Sequence, residues 1–243
     1  MKILVVADEP EKALWDYFDR ERVNGVELII SCGDLSAAYL EFLETMINRP
    51  LLYVRGNHDT QYDYRAPQGC IDIDDRVYDY RGLRILGLGG SMCYNFSKDQ
   101  YTEEEMAKRI RKLQKRITLM NGFDVLVAHA PAAGYGDLPD RPHQGFACFN
   151  DLMNRWHPKY MLHGHVHKCY GSEFRREREH PSGTKIINSY GSYMLEIRDD
   201  EHPAKGRPGS ALYDLYISLT AGIGSALSGM SMKPPSFGGV RSQ

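Results

Sequence analysis

Short apolar runs alternate with segments of helical period through the first part of the chain: "KILVVA", "EKALWDYF", "ELIISC", "SAAYLEFLETMI" and "LLYVR". The runs are apolar throughout rather than at every second position, as expected of strands buried on both faces. Their alternation with helical stretches predicts a βαβαβ unit around a mostly parallel sheet. Past residue 70 the pattern changes to short strands near "RVYDY" and "LRILGLGG". A long helix follows in "TEEEMAKRIRKLQKRITLM", where Thr102 and Glu105 stand at capping-box spacing and mixed charges mark a solvent-facing side. "DVLVAHA" and "KYMLHGH" read as strands separated by a helix across "FACFNDLMNRW". The stretch from Lys168 to Arg198 reads as paired strands, with "PSG" at 181–183 as the turn. From Asp199 onward Gly, Pro and Ser dominate, which predicts one domain over residues 1–198 and an irregular extension over 199–243 that carries no assigned chemistry.

A chain of 243 residues suits a single large α/β domain with a full core. Charged residues are 26% of the chain and nearly cancel, at a formal net charge of −2, so no basic field exists to hold a nucleic-acid backbone and nucleic acid is not expected as a partner. The five cysteines, Cys32, Cys70, Cys93, Cys148 and Cys169, form no C-x-x-C. They suit reduced thiols in a cytoplasm better than a disulfide framework or a zinc knuckle. Neither "MKILVVAD" nor the Gly- and Ser-broken "LYISLTAGIGSALSGM" supplies the ~20 apolar residues of a membrane span. The expected location is cytoplasmic, with no membrane partner.

Chemistry gathers where the predicted strands end. Asp8 follows "LVVA", Asp34 follows "IISCG", Asn57 follows "YVRG", His129 follows "VLVA", and His165 and His167 follow "YMLHG". In open α/β sheets ligands bind at the carboxyl ends of strands, where loops vary and strands fix their roots. Carboxylate, amide oxygen and imidazole together suit divalent Mn, Fe or Zn, and a carboxylate can bridge two ions ~3.5–4 Å apart.

With "GD" at 33–34, "GNHD" at 56–59, "AHAP" at 128–131 and "GHVH" at 164–167, the chain resembles the calcineurin-like metallophosphoesterases over roughly residues 1–197. "HAP", "GYGD", "HGHVH" and "INSYG" look closest to bacterial phosphoesterases related to the class III nucleotide phosphodiesterases. The resemblance implies a four-layer αββα sandwich of two mixed β-sheets flanked by helices. It also implies hydrolysis of phosphate esters, diesters favoured over monoesters, by a metal-activated hydroxide at a dinuclear centre. Two divalent ions are implied, Mn or Fe first and Zn as an alternative. Asp34 would bridge them; Asn57, His129 and His165 would complete one site, and Asp8 and His167 the other. His58 would be the catalytic group that stabilises the phosphoryl oxygens or protonates the leaving group, with Asp59 orienting its ring; Asn57 would also face the substrate. The implied partner is a small phosphorylated molecule, a nucleotide among the candidates. A non-hydrolytic metal- and nucleotide-binding sensor is the alternative.

The sequence departs from the family pattern at one ligand. That pattern after the first strand is D-x-H, and here the third position is Pro10, which has no lone pair to offer. Proline suits the first turn of the helix expected in "EKALWDYF". The site of Asp8, Asp34 and His167 is therefore expected to be the weaker, with water a simpler substitute than Glu9. His163 reads as packing or as support for His165, and His143 with Asp137 lies in a polar loop over 137–146 that could contact substrate. Tyr94 and Asn95 read as an ordinary loop, Arg55 as a partner for a carboxylate, and "RREREH" at 175–180 as a solvated strand rather than a phosphate clamp.

Overall fold

The computed structural model describes residues 1–168, 174–198 and Leu215; the rest of the expected extension lies outside the described residues. Thirteen strands and three α-helices are present among them. The strands are β1 (Lys2–Ala7), β2 (Leu28–Ser31), β3 (Leu51–Tyr53), β4 (Ile71–Asp72), β5 (Arg76–Tyr80), β6 (Leu83–Leu88), β7 (Ser91–Met92), β8 (Gln100–Tyr101), β9 (Val125–Ala128), β10 (Tyr160–His163), β11 (Glu177–Glu179), β12 (Lys185–Asn188) and β13 (Gly191–Glu196). The helices are α1 (Ala37–Ile47), α2 (Glu103–Leu119) and α3 (Ala147–Trp156).

One sheet has the order β13-β1-β2-β3-β4 and the second β11-β12-β10-β9-β6-β5, with β7 and β8 as a separate ribbon. The centre of each sheet is parallel: β1 with β2, β2 with β3, β6 with β9 and β9 with β10. Antiparallel strands close three of the four edges, β13 on β1, β11 on β12 and β5 on β6, and β4, parallel to β3, closes the fourth. The period-2 alternation of β1 sorts its side chains between two cores. Ile3, Val5 and Ala7 face the second sheet, where Ile85, Val127 and Leu162 meet them, while Leu4 and Val6 pack outward under Leu40 and Leu43 of α1. On the far side Leu126, Ala128 and Met161 are covered by Met106 and Leu113 of α2 and Phe149 and Leu152 of α3. The chain forms the four-layer αββα sandwich. No helix among the described residues is long and apolar enough to cross a membrane.

Local signals explain most of the elements. Ser36 caps α1 by accepting from the Tyr39 N–H at 3.2 Å, and Asn48 ends the helix in the left-handed conformation. Thr102 and Glu105 form the capping box of α2 in both directions. The helix expected in "EKALWDYF" does not form. Its place is taken by a three-residue 3₁₀ turn, Lys12–Leu14, with Pro10 outside it and ahead of its N-cap Glu11. Hydrogen bonds there run from Leu14 N to Glu11 O and from Trp15 N to Lys12 O, the tighter spacing of a 3₁₀ turn. Trp15 stands edge-on to Tyr39 and Phe42 of α1 at 5.4 and 4.8 Å, and this aromatic packing overrides helical periodicity. The paired strands expected over 168–198 are also modified: β11 and β12 form the hairpin around the 181–183 turn, but β13 crosses to the other sheet and lies on β1.

Arg109 ties α2 to the second sheet. Its guanidinium donates to Asp74 at 2.7 Å, Asp75 at 2.9 Å and the Gly89 carbonyl at 2.7 Å, and lies 4.2 Å over the Tyr101 ring. Breaking a buried pair by removing one partner strands the other charge, at about 3–5 kcal/mol, whereas loss of a helix N-cap costs about 1 kcal/mol. Arg109→Ala should therefore lower unfolding free energy severalfold more than Thr102→Ala, measured by urea denaturation of both variants.

Candidate metal centre

All six strand-end residues meet across the carboxyl edges of β1, β2, β3, β9 and β10. Asp8, Asp34 and His165 sit in the left-handed region, with φ of 67°, 58° and 68°. For non-glycine residues that conformation is costly and needs external support. Side-chain and backbone bonds between loops provide it. Asp8 N donates to Gly33 O at 3.1 Å, His165 N to Asp8 Oδ1 at 2.8 Å, and Asp34 N to Asp59 Oδ2 at 2.8 Å. The loops touch because two glycines let them. A Cβ on Gly33 would lie 2.4 Å from Gly56 N, and one on Gly56 would lie 2.0 Å from Asp34 Oδ1.

The tautomers of two histidines follow from their partners. His129 Nδ1 is 2.8 Å from the Cys32 carbonyl and His165 Nε2 is 2.7 Å from the Pro142 carbonyl. A carbonyl only accepts, so those nitrogens carry the hydrogens. This leaves the lone pairs of His129 Nε2 and His165 Nδ1 facing each other across 3.1 Å. Asn57 Oδ1 and Asp34 Oδ2 each approach His129 Nε2 to 3.2 Å. Asn57 presents its oxygen because its Nδ2 donates to the Tyr94 hydroxyl at 3.4 Å. With the His129 imidazole neutral, four acceptors thus converge with no donor of their own. Asp34, His129 and His165 alone are a group whose ligand atoms lie close enough to hold one ion.

The electrostatics of the cluster make the same demand for positive charge. Burial would push the His129 imidazole down, but the charge and hydrogen bond of Asp34 outweigh it and raise it to about 9. Burial, then the His129 charge, drives His165 down to about 3. Asp34 is itself desolvated, yet His129 and the His58 N–H hold its carboxyl well below the usual range. One positive charge is favoured in the cluster and a second proton is not.

Asp8 and His167 flank this cluster. The Asp8 side chain is fully buried, its Oδ2 has no hydrogen-bond partner, and its Oδ1 lies 3.7 Å from His167 Nε2. A buried carboxylate oxygen without a partner is an acceptor built for a cation. The donor set therefore fits a divalent ion at Asp34, His129 and His165, with the Asp8 carboxylate beside it. Glu9 does not complete the Asp8 side: its carboxylate accepts from the Tyr190 hydroxyl, and the Tyr190 ring packs 4.9 Å from that of His167.

The remaining candidates separate. His58 is exposed and lines a small cleft of about 80 Å³ with Asp34, Asn57, Tyr94, His143 and His167. Asp59, expected to orient the His58 ring, instead accepts from the N–H groups of Gly56 and Asp34, both at 2.8 Å. Burial and the Asp34 charge raise it to about 7. His143 reaches the cleft, its ring 5.2 Å from that of His165, and it pairs with Asp140 at 2.5 Å. Asp137 holds the turn beneath by accepting from Gly134 N and Gly145 N. His163 is fully buried against the Gly164 carbonyl, and burial lowers it to about 4. Arg55 pairs with Asp63 at 2.7 Å. Tyr94 is the residue that sequence reasoning set aside; its only signal was a tyrosine in the connection between β7 and β8.

The calcineurin-like phosphoesterase superfamily domain matches residues 1–199. The chain belongs to this superfamily and is a metal-dependent phosphoester hydrolase. An uncharacterized protein of Haemophilus influenzae is 25% identical over 216 residues, covering 75% of this chain and 91% of that one. Human metallophosphoesterase domain-containing protein 1 is 26% identical over 110 residues, and the match spans only 31% of its length. Among solved structures, TT1561 of Thermus thermophilus aligns with TM-score 0.54 at 14% identity, over 78% of this chain and 88% of that one. The phosphopantetheinyl hydrolase of Mycobacterium tuberculosis aligns with TM-score 0.51 at 14% identity, over 84% and 98%. At that identity the two structures speak to the fold alone.

Gly56→Ala puts a methyl group where Asp34 Oδ1 now lies and 2.7 Å from Asp34 N, so the Asp34 loop must shift. Displacing a group that orients a ligand costs about 10–100-fold in metal affinity. The variant should keep its unfolding midpoint within a few degrees while its Mn affinity, measured by calorimetric titration, falls by at least tenfold.

Proposed function

We propose that the chain hydrolyses phosphodiesters in preference to monoesters, at a dinuclear centre bridged by Asp34. In this reading Asn57, His129 and His165 complete one site, and Asp8 and His167 form the weaker. The observation that carries it is the convergence of four lone-pair acceptors on one point, with an orphan carboxylate oxygen beside them. Mn or Fe is favoured over Zn because the set is oxygen and imidazole without thiolate. When bound, the two ions supply a water that loses its proton near neutral pH and a positive field for the phosphoryl oxygens.

The chain's own residues do the rest. Cys32, Pro142 and Tyr94 hold the three nitrogen- and amide-bearing ligands in orientation. Asp59 fixes the Asp34 backbone rather than a catalytic ring. His58 stands at the lip of the cleft, where its imidazole meets the phosphoryl oxygens or gives a proton to the leaving oxygen as the P–O bond breaks. His143 forms the opposite wall and contacts the ester arm. A small phosphorylated molecule, a nucleotide among the candidates, is the partner this cleft would take.

Purified protein supplied with Mn should release nitrophenolate from bis-p-nitrophenyl phosphate, and Asp34→Asn should abolish it. His58→Ala should retain Mn while kcat falls by ~10² to 10⁴, the range for general acid groups. If no turnover occurs with Mn, Fe, Ni, Co or Zn although nucleotide binds tightly, the sensor reading replaces this one.

The second measurement concerns Pro10. Restoring an imidazole by Pro10→His should shift the Mn activation curve to about 10–100-fold lower concentration, the scale of one lost interaction at a metal ligand. Superimposable curves would mean that the position contributes nothing.

A further inference from the structure

Beside the metal centre lies a second cavity of about 220 Å³, lined by Leu138, Val166, His167, Phe174, Arg175 and Arg178 among others. It shares His167 with the cleft. Arg178 Nε is buried there without a hydrogen-bond partner. Among the described residues, neither the Arg175 nor the Arg178 guanidinium forms an ion pair or side-chain hydrogen bond. The acid on the wall, Asp137, is not their counter-ion: its two oxygens are taken by Gly134 N at 2.8 Å and Gly145 N at 3.2 Å. The run they come from is a solvated strand on one face, with Arg175, Glu177 and Glu179 exposed, while Arg178 is partly buried on the other. Its glutamate Glu177 pairs with Lys185 at 2.6 Å and with the Tyr193 hydroxyl at 2.5 Å, and its Arg176 donates to the carbonyls of Asn188, Ser192 and Tyr190, so neither answers Arg175 or Arg178.

A buried, permanently charged N–H without a partner is costly, and a planar guanidinium matches the paired oxygens of phosphate or carboxylate. The apolar wall of Leu138, Val166 and Phe174 suits the carbon skeleton between two anionic groups. At about 220 Å³ the cavity is smaller than a pocket for a whole ligand, ~300–1,000 Å³, so it takes one terminal group.

We propose that this cavity binds a second anionic group of the substrate, a phosphate or a carboxylate, carried on the arm beyond the scissile phosphate. The proposal rests on the hydrolase reading and narrows its substrate class to phosphodiesters with an anionic arm. Arg175 and Arg178 are then specificity-determining residues that touch the arm and not the reacting phosphorus.

The test uses three p-nitrophenyl phosphodiesters on the full-length, Mn-loaded protein, identical except that the second arm ends in phosphate, carboxylate or hydroxyl. Nitrophenolate release gives a KM for each. At least one anionic arm should show a KM tenfold or more below that of the hydroxyl arm, and the better of the two identifies the group. The ratio should collapse toward one in the Arg175→Ala, Arg178→Ala double variant and be partly kept in Arg178→Lys. Because the ratio is read within each variant, a general loss of activity does not disturb it. Equal KM values for all three arms, or a ratio that survives the double substitution, overturns the proposal. If none of the esters is cleaved, the hydrolase reading fails by itself. Calorimetric Kd values for the same esters on wild type and double variant then decide the anion site by the same ratios.

Discussion

The centre depends on repulsion between lone pairs that the fold forces together. His129 Nε2, His165 Nδ1, Asn57 Oδ1 and Asp34 Oδ2 crowd around one point, and each faces inward because a more distant bond engages its other side. The Cys32 carbonyl takes the His129 Nδ1 hydrogen, the Pro142 carbonyl takes that of His165 Nε2, and Tyr94 takes the Asn57 amide. Cys32 follows β2, Pro142 belongs to the 137–146 loop and Tyr94 follows β7, so three separate parts of the chain must be in place before the ligands are. Such a partly satisfied polar cluster is unfavourable in a low-dielectric interior unless a positive charge joins it. Metal binding and the packing of the two sheets are thereby linked.

The sheets make that crowding possible. Parallel strands end at the same edge, and β1 to β3 meet β9 and β10 across an apolar interface. Three ligand-bearing residues hold left-handed backbone, each costing of order 1–3 kcal/mol. The strain is sustained because the loops are bonded to one another rather than to solvent: Asp8 to Gly33 and His165, and Asp34 to Asp59 and His58. Asp59 is central to this, with both bonds of its Oδ2 spent on backbone.

The sandwich and the strand-end residues were legible because buried parallel strands leave continuous apolar runs, and because only a residue or two separates each run from its ligand. Asp8, Asn57 and His129 could be placed from "LVVA", "YVRG" and "VLVA" alone. The segment after Pro10 was misleading for a physical reason: Leu14, Trp15 and Phe18 have helical spacing, but Trp15 and Phe18 are spent on edge-to-face contacts with Phe42 rather than on a helical stripe. β4, β7 and β8 were invisible at two residues each, too short for any period. The role of Asp59 and the reach of Tyr94 depend on which backbone N–H or amide lies within 3.5 Å, which no spacing encodes. Alternating signs in "RREREH" pointed to a solvated strand; Glu177 does pair with Lys185 and Arg176 with backbone carbonyls, but the Nε of Arg178 is buried without a partner, which no charge pattern shows.

In the dinuclear centre proposed above, the two halves differ in more than a ligand count. Around His129 the acceptors are buried and fully oriented, so an ion there meets a prepared shell. Around Asp8 the carboxylate is just as buried, but His167 stands partly open to the cleft, Glu9 is committed to Tyr190, and Pro10 offers nothing. The same side carries Arg178, whose charge adds to the burial that lowers the nearby His163 and opposes any further cation. If an anionic arm sits on Arg175 and Arg178 as proposed, it cancels that opposition and covers the open face of His167. The weaker half would then fill more readily with substrate present than without it. By thermodynamic linkage the ion there would tighten substrate binding by the same factor. An arrangement that looks like the loss of one histidine can in this way place the second ion under the control of the molecule to be cleaved.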